Sequence, residues 1–491
     1  MVPRERITPC NGNKPNPAGK YVLYWMISFR RLSWNYSLQR AVEWSGRLGK
    51  PLVILEALRC DYPWASDRIH LFVLQGMAQN QRALERKGVL YYPYLEPKPG
   101  AGRGLLEALA REACVVVTDE FPAFFLPHMV AAAATKVRIL LEKVDSNGIL
   151  PLRSAPGFFR SAHSFSRFLH SVLLSQIQDG PQEDPLATLP SCVGKAMLPA
   201  TVVQLWPPLN ALQLKNAGGL LGHLPIDHSV APVPFEGGEN QAKEKLEDFL
   251  LRGLPRYALE RDHPDSQATS GLSAYLHFGH ISPHHVMSRV LEAGGWKPEM
   301  IQKRAAGSRR GWWGLDHNAE AFLDQLLTWR ELGFNACFHT EDHHSLKSLP
   351  AWALRSLEEG TRDPRRYLYG LEELQQARTH DRVWNAAQRE LLCHGRIHNY
   401  MRMLWGKGIL QWTPDPETAL DIMIHLNNLL ALDGRDPNSY SGILWCMGKY
   451  DRPWGPRRPV LGTVRYMSSE NALRKLRMRK YLETWSSPAE T

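Results

Sequence analysis

Between residues 20 and 145, short and wholly apolar runs alternate with amphipathic stretches, and this alternation restricts the fold more than any other feature of the chain. The runs at 21–27, 51–57, 89–95, 114–119 and 137–144 have the length and composition of strands buried on both faces. Between them, residues 38–48, 70–86, 105–112 and 123–135 place apolar side chains at helical spacing. Strands that alternate with helices are joined by crossovers, and crossovers build a parallel sheet covered on both faces. Residues 20–150 are therefore expected to form an α/β, Rossmann-like domain. The glycines of GAGRG at 100–104 follow a Pro-rich turn instead of a strand end and lack the full dinucleotide fingerprint, so no nucleotide is assigned to them.

The remainder reads differently. Residues 151–240 are rich in Pro, Gly and Ser and poor in periodicity, which suggests a long interdomain linker. From 241 onward the pattern turns helical, with helices expected over 241–251, 284–293, 319–332, 381–392, 397–410 and 416–432. An all-helical domain is thus expected over 241–482. A flexible, polar leader (1–19) and a short tail (483–491) flank the whole. At 491 residues the chain exceeds what one ordinary core holds, in keeping with two domains.

Charge and cysteine usage narrow the function. A net charge of +10 and basic segments at 303–310, 452–458 and 474–480 favour a polyanionic partner. No run is apolar enough to span a membrane, and the leader lacks the apolar core of a signal peptide, so a cytoplasmic protein is expected. Seven cysteines without a C-x-x-C pair argue against a disulfide framework. His339, His343 and His344 lack the carboxylate or thiolate partners of a metal motif, so no metal site is assigned. No interface signal stands out, and a monomer is expected.

The densest chemistry lies in WNAAQ, HNYMRMLWGKGILQW and LNNLLALDGRDPNSYSGILW. Trp384, Trp405 and Trp412 stand there among Arg402, Asn427, Asp433 and Asp436. Trp405 and Trp412 are seven apart at helical spacing, which puts them on one face about 10 Å from each other. Indoles so placed can pass an electron by hopping, which is useful only beside a redox cofactor. A single buried Trp more often simply packs.

These segments, with YVLYWM at 21–26, SGLSAYLHFGHIS at 270–282 and the later GTVRYM, resemble the class II cyclobutane pyrimidine dimer photolyases of the photolyase/cryptochrome family. The resemblance runs in order from about residue 20 to about 480 and is densest after 250. It implies an N-terminal α/β domain joined to an all-α, FAD-binding domain. The implied activity is light-driven repair of dimers in UV-damaged DNA by an electron from reduced FAD.

By the same resemblance, Trp405, Trp384 and Trp412 are the proximal, middle and distal members of a photoreduction chain. Arg402 and Asp433 pair beside the flavin ring, where a cation favours the reduced anion. Asn427 faces its N5 edge, and Asp436 belongs to the same polar group. Tyr257 contacts the flavin, while Ser270, Leu272 and Ser273 meet its pyrophosphate. Ser before a helix is otherwise an ordinary N-cap. Trp329, Met403 and Trp445 wall the pocket of a flipped-out pyrimidine dimer. Arg261 and Arg465 fill the gap in the duplex and contact its backbone; either could instead be a surface ion pair.

Four departures from the family pattern stand out. Gln325 replaces a glutamate four residues before Trp329; an amide can donate a hydrogen bond but cannot transfer a proton, so repair is expected to persist at about tenfold lower efficiency. Asn428 replaces an aspartate and Ala274 a proline. After YWM the run ISFRRLSWNYSL keeps only Arg31 and Asn35 in register, which leaves open the deazaflavin antenna that the resemblance suggests. The alternative reading is a cryptochrome-like flavin photoreceptor without efficient repair, to which the loss of the acidic residue at 325 is one route.

Overall fold

In the computed structural model, residues 1–190, 194–302 and 304–486 are described; Lys303 of the first basic segment and residues 487–491 of the expected tail lie outside them. The chain divides into two compact units. The first comprises Met1–Pro156, Val172–Glu247 and Gly271–Glu292, and the second Gly157–Ser171, Asp248–Ser270 and Ala293–Thr491. The expected boundary at 241 is thus not where the division falls, since a later helical segment belongs with the sheet.

The first unit is built on six strands: β1 (Ile7–Pro9), β2 (Tyr21–Met26), β3 (Leu52–Leu58), β4 (Leu90–Leu95), β5 (Ala113–Asp119) and β6 (Leu141–Val144). Their order is β1-β6-β5-β2-β3-β4. All neighbours among β2 to β6 are parallel, and β1 runs antiparallel on β6. The chain enters at β2, winds outward to β4, returns, and winds the other way through β5 to β6. That is the doubly wound arrangement, with its switch point between β2 and β5.

Because strand side chains alternate, β2 feeds two cores. Tyr21, Leu23 and Trp25 pack with Leu105 and Leu109 of the Leu105–Glu112 helix and with Val130 and Ala133 of the Leu126–Lys136 helix. Val22, Tyr24 and Met26 pack on the other face with Leu38, Ala41, Val42 and Trp44 of the Tyr36–Leu48 helix. Each fully buried aliphatic or aromatic side chain contributes about 1.5–3 kcal/mol over its exposed state. The Tyr36–Leu48 helix starts at Asn35, whose side chain accepts from the N–H groups of Ser37 and Leu38, and stops at Gly49, whose φ of 62° suits glycine.

Two expectations need correction. The leader is not free chain: Ile7–Pro9 pairs with β6, and the wholly buried Arg6 guanidinium donates to the carbonyls of Asp145 and Gly148 at 3.3 and 3.2 Å. Proline is tolerated in β1 because this is an edge strand. Nor is 151–240 a plain surface linker. It carries the Ala162–Gln178 helix, and Val202 and Trp206 pack onto the first unit's core, with the Trp206 indole donating to Ala101 O at 2.9 Å.

The second unit is helical. Arg382–His394, Asn399–Trp412 and Pro416–Leu430 lie close to the ranges the periodicity predicts, and Pro437–Cys446 is a further helix beyond them. The helix expected over 319–332 is instead three pieces: His317–Leu323, a π-helical stretch Asp324–Trp329, and Arg330–His339. Gly333 lets the last of these lie against Pro437–Cys446, since a Cβ there would meet Asn438 Cα at 2.8 Å. Among the described residues no helix is long and apolar enough to cross a membrane, and no group of His, Cys, Asp or Glu is arranged to hold a metal.

Candidate functional site

Two helices of the second unit bring the three tryptophans together. Trp384 lies between the other two: its ring is stacked on Trp405 (centroids 6.4 Å apart, planes at 4°) and meets Trp412 edge-on (5.7 Å, 69°). The order in space is therefore Trp405, Trp384, Trp412, although Trp405 and Trp412 share one helix and Trp384 belongs to another. Gly408 makes this possible, because a Cβ at that position would meet Trp384 at 2.6 Å and Trp412 at 2.9 Å. Trp384 and Trp405 are buried, whereas Trp412 is half-buried at the helix end.

Hydrogen bonds fix both inner rings. The Trp384 indole donates to Trp405 O at 2.9 Å, and the Trp405 indole donates to the Gln388 amide oxygen at 2.7 Å. Gln388 is wholly buried and is itself held by Gln375 O. The sequence offered a signal for it: Gln388 closes WNAAQ, one helical turn after Trp384 and on the same face. Its role was nevertheless unassigned, since only the fold shows that it meets Trp405.

Three residues before Trp405 on the same helix, Arg402 begins a polar cluster. Its guanidinium donates to both oxygens of Asp433 at 2.9 and 3.1 Å and reaches Asn427 Oδ1 at 3.4 Å. The pair is neither fully buried nor free in water, with side chains 15% and 14% exposed. Asn427 donates in turn to Ser439 Oγ at 2.6 Å. The buried Asn428 accepts from the Arg435 N–H at 2.9 Å and donates to Tyr440 OH at 3.3 Å, so a neutral amide here serves as a hinge of the turn. Asp436 caps the Pro437–Cys446 helix by accepting from the Asn438 N–H.

The other expected residues fall into separate settings. Tyr257 is buried, packed edge-on against Phe249 and Phe322, with the Arg261 guanidinium 5.6 Å from its ring. Ser270 is half-buried in the second unit; Leu272 and Ser273 belong to the first unit. Leu272 is buried and Ser273 opens a helix of only five residues, Ser273–His277, too short to carry much of a macrodipole.

Gln325 is half-buried within the π-helical stretch, and its side-chain amide pairs with no described residue. Trp329 sits at the end of that stretch, its indole donating to Asp324 Oδ2 at 3.2 Å and its ring facing Arg309 at 5.6 Å. Asp324 is a residue the sequence reading missed. Burial pushes its carboxyl above the ordinary range, while Arg309 and the Thr328 and Trp329 donors pull it back. The link runs from i to i+5, so only the π-helical turn aligns the two side chains.

Trp445 and Met403 are half-buried, and Arg465 is exposed with its guanidinium 5.8 Å from Trp445 and 4.9 Å from Trp454. Arg452 stands over Trp454 at 4.7 Å and Arg458 over Tyr466 at 5.1 Å, giving an edge where cations and aromatic faces interleave. Such an edge suits a phosphate backbone and unstacked bases.

A largely buried cation–carboxylate pair with an adjacent amide thus lies one helical turn from a three-indole series. Comparisons with known proteins cover nearly the whole chain. No family model matches the chain. It is 32% identical to the deoxyribodipyrimidine photo-lyase of Methanothermobacter thermautotrophicus, over 98% of both chains. It is 29% identical to that of Arabidopsis thaliana, over 94% of this chain and 88% of that protein. Among solved structures, a class III photolyase from Agrobacterium tumefaciens has the same fold (TM-score 0.66, 19% identity, 95% of this chain and 86% of that one). A Synechocystis cryptochrome does too (TM-score 0.63, 14% identity, 95% and 88%). With near-complete coverage at this identity, the chain belongs to the deoxyribodipyrimidine photo-lyase family.

Proposed function

We propose that this photolyase is a class II enzyme that splits cyclobutane pyrimidine dimers in DNA by light-driven electron transfer, with FAD as its cofactor. The observation that carries the reading is the continuous Trp405–Trp384–Trp412 series, whose inner end lies one helical turn from the Arg402–Asp433 pair. When bound, reduced FAD supplies the electron that the dimer receives and returns. Arg402, Asp433 and Asn427 hold the ring's polar edge and favour its anionic form. Tyr257, Ser270, Leu272, Ser273 and Asp436 complete the cofactor contacts.

The chain's own residues do the rest. Trp405, once oxidised, is refilled from Trp384, and Trp384 from Trp412. Their indole protons stay in place, because the partners of Trp384 and Trp405 are carbonyl oxygens that cannot accept a proton. Trp329, Met403 and Trp445 grip the extruded dimer by apolar contact. Arg261 and Arg465 hold the duplex backbone. Gln325 donates an amide N–H to the dimer, orienting it without supplying a proton.

Whether the protein carries an antenna stays open; the resemblance suggests the deazaflavin class for one. Arg31 and Asn35, the two residues kept from that pattern, are both engaged in structure. Arg31 bonds Gly279 O and Trp34 O, and Asn35 caps a helix. The protein acts as a cytoplasmic monomer. Gln325 favours one further reading, a cryptochrome-like photoreceptor that photoreduces its flavin but repairs poorly.

The test is repair of a defined thymine-dimer oligonucleotide by purified, photoreduced protein in light and in darkness. Light-dependent loss of the dimer is expected. Bound, readily photoreduced flavin with no repair would instead establish the photoreceptor reading.

A further inference from the structure

The loop over 307–314, ahead of the π-helical stretch, is anchored at both ends. Gly311, Trp313 and Gly314 donate their N–H groups to the buried Glu320 carboxylate, the last two at 3.1 Å each. Buried Trp312 lies flat on His170, with centroids 3.8 Å apart and planes at 7°. At the other end Gly307, with a φ of 68°, lies so close to Arg167 and His163 that a Cβ would meet them at 2.6 and 2.9 Å. Between the anchors, Ser308 Oγ donates to Arg310 O at 2.6 Å. This turn presents the exposed Arg309 to Trp329, its guanidinium 5.6 Å from the ring centroid. Arg309 forms no ion pair with any described residue. Its charge still reaches the neighbouring carboxyl: burial raises the Asp324 pKa, and Arg309 is the strongest pull against that rise, ahead of Arg261.

Resting on the repair reading above, we propose that Arg309 supplies the fixed positive charge that stabilises the dimer radical anion, in place of the acidic proton donor that position 325 lacks. A dimer that has taken up an electron either splits or gives the electron back unused. Its negative charge is held by a proton delivered to it or by a cation placed beside it. Gln325 has no proton to deliver. Trp329 has none to spare, because its indole N–H is committed to Asp324 Oδ2 at 3.2 Å. The Arg309 guanidinium remains, always charged and exchanging no proton.

Atoms and electrons balance without any transfer from Arg309. The dimer gains one electron from the flavin, its cyclobutane carbon–carbon bonds break to leave separate pyrimidines, and the electron returns. Arg309 is the same before and after. Because its loop is anchored on both sides, the cation is in place before the electron arrives, as electrostatic preorganisation requires.

The test measures dimers split per absorbed photon by flavin-loaded, photoreduced protein at saturating thymine-dimer oligonucleotide, together with the Kd for the same DNA. Arg309→Gln removes the charge from an exposed side chain and should lower the yield about fivefold, the order expected of one charge at short range. Arg309→Lys keeps the charge and should restore most of that loss. In the Gln325→Glu background Arg309→Gln should cost little, since a proton then holds the negative charge. Weaker binding with an unchanged yield per bound dimer would make Arg309 a phosphate contact and overturn the proposal. An equal loss with lysine would trace the effect to the shape of the loop and overturn it as well. No splitting by the wild type, with flavin bound and reduced, would instead overturn the repair reading itself.

Discussion

Two polar regions of the molecule solve opposite problems. At the switch point of the first unit, Asp119 lies wholly buried at the carboxyl end of β5. Its Oδ2 accepts the N–H groups of Ile27, Ser28 and Phe29 at 2.9, 2.7 and 2.9 Å, and its Oδ1 accepts Tyr24 OH at 2.8 Å. Nearby, buried Glu56 is satisfied by Arg30, Asn80 and Tyr91. Three successive N–H groups at this crest are where a doubly wound fold would meet an anion, and the chain fills that place with its own carboxylate. In the second unit the Arg402–Asp433 pair stays partly exposed beside an aromatic series that leads to the surface. Polar groups closed on one another stabilise a fold; the partly open pair is the one a ligand can still reach.

The sharpest way to separate the regions is Trp384→Phe. Trp384 is the only described ring that touches both Trp405 and Trp412. Its loss should abolish photoreduction of oxidised protein by an external reductant while leaving repair by chemically reduced protein near wild type. Photoreduction at the normal rate would mean that electrons leave by another route.

Asp119→Ala should do the reverse. It strands three buried N–H groups and a phenol, each costing about 1–3 kcal/mol, so unfolding stability should fall by at least about 4 kcal/mol. Denaturant unfolding measures this, and photoreduction per folded molecule should not change. A variant that unfolds like the wild type but has lost an absorbing antenna would make the crest a binding site after all.

Much of this division is legible in the sequence. The apolar runs marked all five parallel strands, since period and length alone identify a strand buried on two faces. The edge strand Ile7–Pro9 escaped because it is short, polar on both sides and carries proline. The Arg402–Asp433 contact and the three indoles were expected, although their order in space comes from packing between helices. Asp324, Gln388 and the part played by Arg309 were not seen. Asp324 depends on a π-helical register, and Arg309 meets Trp329 only through tertiary structure.

Gln325→Glu sharpens the repair side of the comparison. A carboxyl four residues before Trp329 could give the dimer a proton as well as a hydrogen bond, and repair per absorbed photon should rise about tenfold. Photoreduction should stay as it is, because Gln325 touches none of the three tryptophans. No gain would show that the amide already does all that the position requires, and would remove the main argument for the photoreceptor reading.

The smallest effect concerns the neighbouring carboxyl. Burial raises the Asp324 pKa above its ordinary 3.8, against the opposing pull of Arg309, Thr328, Trp329 and Arg261. The folded protein therefore keeps this proton to higher pH than the unfolded chain does. Its contribution to stability is complete below pH 3.8 and is lost as pH rises through the folded value. Asp324→Asn removes the titration and keeps an oxygen that can accept the Trp329 indole. Unfolding measured from about pH 4 to about pH 7 should show wild-type stability declining relative to the variant as pH rises. Parallel curves would mean that the carboxyl stays ionised throughout. Asp324 would then resemble Asp119, a charge held by its donors, and the boundary between the closed and open polar regions would have to be redrawn around Trp329.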